Sequence, residues 1–146
     1  YDSSVVPAKT SLYGLPNAEK SPYKISSENI EKNNPDGVLT EFPLLVTNFL
    51  GKKIPAAGGF YLRSLPMKIT KNAIKNYEKL GIPSSFYIHS WELTPEYMPK
   101  LELPFKDNFA TFHNIDDTYK RMNEILEEFE FTSFANYISQ EMNLPN

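Results

Sequence analysis

The sequence predicts an α/β fold. Ile69, Ala73, Tyr77 and Leu80 recur at spacings of four, four and three residues, one apolar stripe of a helix. Tyr119, Met122, Leu126 and Phe129 repeat that spacing later, with Ile125 beside them. Between the two stripes, Ser85-Phe86-Tyr87-Ile88 is a short apolar and aromatic run placed directly after the first helix, and a helix that delivers the chain into such a run suggests a βαβ-type unit.

The elements follow in order. Residues 1–37 are rich in Ser, Asn and Pro and lack periodicity, so they read as an irregular loop with room for one short strand; it ends in the strong turn signal Asn33-Asn34-Pro35-Asp36-Gly37. Val38 to Val46 reads as a strand interrupted by Pro43, which puts it at an edge or a bulge because proline cannot donate to a ladder. Ile54 to Gly59 is a turn, and Phe60-Tyr61-Leu62-Arg63 is one short strand or an extended loop. The first helix opens at Pro66 and stops at Gly81 and Pro83, with Lys68, Lys71, Lys75 and Lys79 on a solvated face. The Ser85–Ile88 strand comes next. Pro95, Pro99 and Pro104 punctuate a loop through Asp107. Asn114 or Asp116 caps the second helix. Glu130 to Phe134 reads as a last strand and Ala135 to Met142 as a terminal helix. There is no internal repeat or coiled coil.

Composition narrows the function classes. The 146 residues are about one domain's worth. A net charge of -3 argues against a general nucleic-acid binder, which carries a basic excess. With no cysteine, a disulfide scaffold, a thiolate zinc site and a Cys nucleophile are excluded. No apolar run approaches the ~18 residues of a membrane span, and no signal peptide is visible. The chain starts at Tyr1 and not at Met, so further polypeptide upstream is expected, and the compartment stays open between cytoplasm and cell envelope. Ten Phe, nine Tyr and one Trp, with 12 prolines, suggest short elements joined by stiff turns.

Two histidines limit the chemistry further. His89 stands where a strand ends and a loop begins, the place where ligand sites lie in parallel α/β folds. Beside Trp91 and Glu92 it is a candidate general acid or base; a hydrogen-bonded structural histidine is the other reading. His89 and Glu92 also form a His-x-x-Glu pair, but that spacing suits ligands on a helix, and zinc needs at least three protein ligands. His113 reads as a polar residue at a helix start. Gly58-Gly59 lacks the spacing of a phosphate cradle and implies a tight turn or a close backbone approach. Arg63, one of two arginines, is placed either to hold a carboxylate in a bidentate pair or as a structural residue. Trp91 suits a sugar face, an acyl pocket or plain core packing. No Gly-x-Ser-x-Gly elbow supports a serine-hydrolase triad.

Five segments stand in one order: Tyr1-Asp2-Ser3-Ser4-Val5-Val6-Pro7, Tyr13-Gly14-Leu15-Pro16-Asn17-Ala18, Glu41-Phe42-Pro43-Leu44, Ile54 through Pro66, and Phe86-Tyr87-Ile88-His89-Ser90-Trp91-Glu92-Leu93. In that order they resemble the C-terminal half of a NodB-type polysaccharide deacetylase (carbohydrate esterase family 4), in the branch found with exopolysaccharide and exosortase gene clusters. The resemblance covers nearly all of residues 1–134. The His-x-Trp-Glu-Leu and Gly-Gly-Phe-Tyr-Leu-Arg segments carry most of it, and Ser90 replaces the Pro that is usual in the former.

The resemblance implies the C-terminal half of a distorted (β/α) barrel and hydrolysis of N-acetyl groups on a glycan. It implies a divalent metal, zinc being the expected one, in the complete enzyme. Its Asp and His ligands, the base Asp and the arginine that steadies it lie in an N-terminal half outside this chain, so residues 1–146 alone are expected to bind no metal and to be inactive. His89 matches the acid that protonates the leaving amine. Arg63, Trp91, Tyr61, Glu92 and Asp2 are the expected supporting or substrate-contacting residues. The expected partners are an N-acetylated polysaccharide and either the N-terminal half of the same domain or a second copy, with no nucleic acid and no membrane span. The alternative is a non-catalytic carbohydrate-binding or assembly module of the same fold.

Overall fold

Proline-rich, aromatic-rich sequence makes short elements, and the computed structural model of the chain consists of them. It describes residues 1–10, 13–99 and 101–141; Met142, where the expected terminal helix ends, lies outside these. Among the described residues four short strands form two antiparallel pairs. β1 (Tyr23–Ile25) pairs with β2 (Leu39–Glu41) in the register Tyr23↔Glu41 and Ile25↔Leu39. The predicted turn lies between them, with the Gly37 N–H on the Asn34 carbonyl at 2.8 Å. β3 (Val46–Phe49) and β4 (Lys52–Pro55) make a hairpin that turns on Leu50 and Gly51 at φ 48° and 74°. Positive φ at both central residues matches the strand twist, at the expense of strain on Leu50. The single strand expected over Val38–Val46 is therefore two: Pro43 has no N–H to give, and the ladder is broken around it.

Parallel contacts tie these pieces together. Extended segments bridge at Asp2↔Glu41, Leu44↔Ser85 and Gly58↔Tyr87, all parallel. The Phe42 N–H donates to the Asp2 carbonyl at 2.8 Å, Leu44 to Val5 at 2.9 Å, Leu45 to Ser85 at 3.1 Å and Tyr87 to Ala57 at 2.9 Å. Ser85–Ile88 thus runs extended and parallel to its neighbours, held by isolated bridges and not by a continuous ladder, and His89 follows at its carboxyl end.

Among the described residues six α-helices accompany this layer: α1 (Gly59–Ser64), α2 (Met67–Lys79), α3 (Ser90–Leu93), α4 (Phe105–Phe112), α5 (Thr118–Glu128) and α6 (Phe134–Glu141). Phe60–Arg63 is helical and neither strand nor loop. Four residues are too few to reveal a period, and what decides the turn is tertiary: Leu62 and Arg63 are buried, and the Leu62 N–H reaches the Gly58 carbonyl at 2.9 Å. α2 begins after Pro66 and ends before Gly81 (φ 67°), as the sequence predicts, and buries Thr70, Ala73, Ile74 and Tyr77. Leu80, expected on that face, caps the helix and is 69% exposed. Lys71 and Lys75 are not merely solvated; they form ion pairs with Glu128 at 2.8 and 2.6 Å, and Lys71 also reaches Glu124.

α5 presents a different face from the expected one. Thr118, Ile125 and the following Phe129 are buried, with Met122 partly so, whereas Tyr119 and Leu126 are exposed. α4 lies where a loop is expected through Asp107, so His113 stands at a helix end and not at a helix start. Residues 130–133 form no strand; they lead into α6, whose Phe134 stacks on Phe42 with centroids 4.4 Å apart. The main core gathers Leu44, Leu45, Ala56, Leu62, Ile74 and Ile125 between the extended segments and helices α1, α2 and α5.

Candidate active site

His89 ends the extended segment and sits at the N-terminus of α3, so the chain turns sharply there and leaves the ring on the surface. Glu92, three residues on, folds back under it. One carboxylate oxygen, Oε2, accepts the His89 backbone N–H at 3.0 Å and stands 3.2 Å from the ring Nδ1. The other, Oε1, meets Arg63 Nη2 at 3.0 Å. The His89 side chain is 44% exposed, whereas Glu92 and Arg63 are 1% and 2% exposed. An ion pair buried this deeply survives only when its remaining donors and acceptors are satisfied.

They are satisfied. Arg63 Nη1 donates to the carbonyls of Thr111 (3.0 Å) and His113 (2.8 Å), Nη2 to Ala110 (3.2 Å), and Nε to Gly59 (3.2 Å). The carbonyls of residues 110 and 111 belong to the last turn of α4, whose orphan acceptors and negative dipole end favour a cation. Burial pulls the Arg63 guanidinium below its ordinary pKa, and the Glu92 charge opposes that pull. Expected to grip a carboxylate with two parallel bonds, Arg63 instead reaches one oxygen of Glu92, because the second is committed to His89.

Gly59 explains itself here. A Cβ on it would collide with the Glu92 carboxylate, nearer than real Cβ atoms come. The close backbone approach read from Gly58-Gly59 is the approach of α1 to Glu92, while Gly58 itself has room for a Cβ.

A cavity of about 550 Å³ opens beside these groups. Val5, Val6, Leu44, Pro55 and Ala57 form an apolar wall; Tyr87, His89, Glu92 and Arg63 form the polar end; Tyr13, Phe60 and Trp91 supply aromatic surface. Trp91 stacks on the His89 ring at 5.3 Å and 22°. The Tyr87 hydroxyl lies 2.7 Å from His89 Nε2, with the two rings edge to face at 4.7 Å. Of the residues singled out from sequence, His89, Glu92, Arg63 and Trp91 come together. Asp2 and Tyr61 do not line the cavity. The Asp2 carboxylate accepts from the Ser4 hydroxyl at 3.0 Å, and Tyr61 packs against the core with its ring edge on Phe60, burial raising its hydroxyl pKa. Tyr87 and Tyr13 belong to the site although sequence reasoning passed them over. Tyr87 carried a signal, since it lies two residues before His89 on an extended run and such residues share a face.

Among the described residues no three His, Asp or Glu side chains gather to hold an ion. Glu92 is committed to Arg63 and His89, and His89 is the one imidazole lining the cavity. The described residues do not fit a zinc site. No helix among them is long and apolar enough to cross a membrane.

One family model, described as a domain of unknown function (DUF3473), matches residues 3–139. No curated protein and no solved structure matches the chain.

Proposed function

The chain belongs to the DUF3473 family, and we propose that it is the C-terminal part of a polysaccharide deacetylase domain. In this reading its extended parallel segments are half of a distorted barrel, which further polypeptide or a second copy completes. The observation that carries the proposal is His89: a half-exposed imidazole at the carboxyl end of parallel-paired segments, on the edge of a cavity, with Nδ1 on a buried carboxylate. That arrangement suits a group that supplies or relays the proton taken by a leaving amine. Glu92 orients the ring, Arg63 holds Glu92, and Trp91 covers one face of the ring. The apolar wall suits the acyl methyl and the sugar's carbon face.

The metal and the base that the resemblance implies are assigned to polypeptide outside the described residues. The test is acetate release from N-acetylglucosamine oligomers by the full-length natural protein. His89→Ala should lower kcat by ~10²–10⁴, the usual worth of a positioned acid. Unchanged turnover would remove His89 from catalysis.

A second reading, a carbohydrate-binding module without chemistry, draws on Tyr13, Phe60 and Trp91 around the cavity. It requires that His89→Ala leave oligosaccharide affinity intact while Trp91→Ala weakens it, in a protein that releases no acetate.

A further inference from the structure

His89 does not face the cavity with a free nitrogen. Glu92 Oε2 is an ionised acceptor, paired through its carboxylate with Arg63, so the Nδ1 beside it must carry a proton. The neutral ring then has its lone pair on Nε2, and the atom 2.7 Å away is the Tyr87 hydroxyl, which donates to it. Tyr87 is 49% exposed and lines the cavity. A substrate nitrogen approaching Nε2 therefore meets Tyr87 first. An imidazole held in this form can accept a proton at Nε2 but has none there to give.

We propose that Tyr87 is the outer member of a proton relay, Tyr87–His89–Glu92, and that its hydroxyl, not the imidazole, delivers the proton to the leaving group. This rests on the deacetylase reading above. The imidazole is first loaded at Nε2 with the proton released when water adds to the acetyl carbonyl, and the Tyr87 hydroxyl turns to accept from the Nε2–H. As the tetrahedral intermediate collapses, the C–N electron pair moves onto nitrogen and the alkoxide re-forms the carbonyl of the released acetic acid. The Tyr87 O–H proton passes to that nitrogen while the Nε2 proton passes to the Tyr87 oxygen. The free amine leaves, Tyr87 is again a neutral hydroxyl, and His89 is again protonated at Nδ1 alone. Throughout, Glu92 stays on Nδ1 and Arg63 stays on Glu92.

The experiment compares wild type, Tyr87→Phe and His89→Ala in the full-length natural protein, with acetate release from N-acetylglucosamine oligomers, its solvent proton inventory, and ¹⁵N spectra of the His89 ring. Tyr87→Phe should lower kcat by about 10–100-fold, within the range of a positioned proton donor, with KM unchanged. The inventory should change from two protons in flight to one. In wild type the neutral His89 ring should be protonated at Nδ1, with Nε2 hydrogen-bonded, and Tyr87→Phe should remove that bond while the fold persists. Wild-type turnover by Tyr87→Phe beside a dead His89→Ala overturns the relay and leaves the deacetylase reading standing. Equal acetate release by wild type and His89→Ala, or none by any form, overturns both. A neutral ring protonated at Nε2 overturns the relay whatever the rates.

Discussion

Arg63 and Glu92 meet at 3.0 Å with both side chains out of water, and this pair joins the cavity to the frame of the domain. Glu92 turns outward to His89, and Arg63 turns inward to the end of α4. The same contact that poises the imidazole also holds two helices together.

The two halves of this pair should not be equivalent. Arg63 serves four backbone carbonyls as well as Glu92, so Arg63→Met strands all of those acceptors and a buried carboxylate. Breaking a buried ion pair costs about 3–5 kcal/mol, and Arg63→Met should reach that range, lowering Tm by about 10 °C. Glu92→Gln leaves Arg63 its carbonyls and should cost less. Denaturant midpoints for the two variants decide it; equal losses would mean that the α4 carbonyls contribute nothing.

Gly59→Ala and Gly58→Ala should part company. The first drives a methyl group into the Glu92 carboxylate, whereas at the second the nearest atom, the Tyr87 carbonyl oxygen, lies 3.8 Å from the new Cβ. Overpacking of this kind costs about 1–3 kcal/mol. Gly59→Ala should show that loss in urea unfolding together with a changed His89 ring spectrum, and Gly58→Ala should show neither.

Glu41 should cost the domain stability as pH rises. Its carboxyl is buried, and Oε1 accepts the Val5 N–H at 2.9 Å. Burial raises its pKa above the ordinary 4.5; the hydrogen bonds from the Val5 and Ser4 backbone oppose this, and the nearby Asp2 charge adds to it. Tyr23 on the paired strand faces the same carboxyl and is pushed up to about 12 by its own burial first and by Glu41 next. A group whose folded pKa is raised binds more protons folded than unfolded. Its contribution is therefore fully present below pH 4.5 and is lost as pH climbs through the folded value. Glu41→Gln should flatten that fall and be the more stable protein at neutral pH. The difference between the two stability–pH curves is the measurement, and a wild type that gains on the variant with rising pH would contradict it.

Neighbours on α5 should differ sharply. Ile125 is fully buried and Leu126 is 50% exposed. Ile125→Ala should cost about 2–5 kcal/mol, as for other deeply buried aliphatic truncations. Leu126→Ala should stay within about 0.5 kcal/mol of wild type. Chemical denaturation of both variants checks which face of α5 meets the core.

From residues alone, α2 was legible with both its limits, because Pro66, Gly81 and a four-residue apolar spacing act locally. The turn at Asn33–Gly37 was legible for the same reason, and so was the placement of His89 at the end of an extended run. Gly58-Gly59 announced a close approach without naming what approached. Where the cause is distant, the reading failed. α1 is helical because Leu62 and Arg63 bury against partners far along the chain, and nothing in four residues announces that. The α5 face is chosen by what α1 and the extended segments leave to be covered, so Ile125 displaced Leu126. Glu130–Phe134 has strand-like composition, but no neighbour with a free edge pairs with it among the described residues. The sequence by itself determined which residues carry chemistry, since two histidines, two arginines and no cysteine leave few choices. Only the tertiary structure decided their connection. The buried carboxylate under the imidazole is paired with a cation brought from α1, and the carbonyls of residues 110, 111 and 113 anchor that cation's other guanidinium donors.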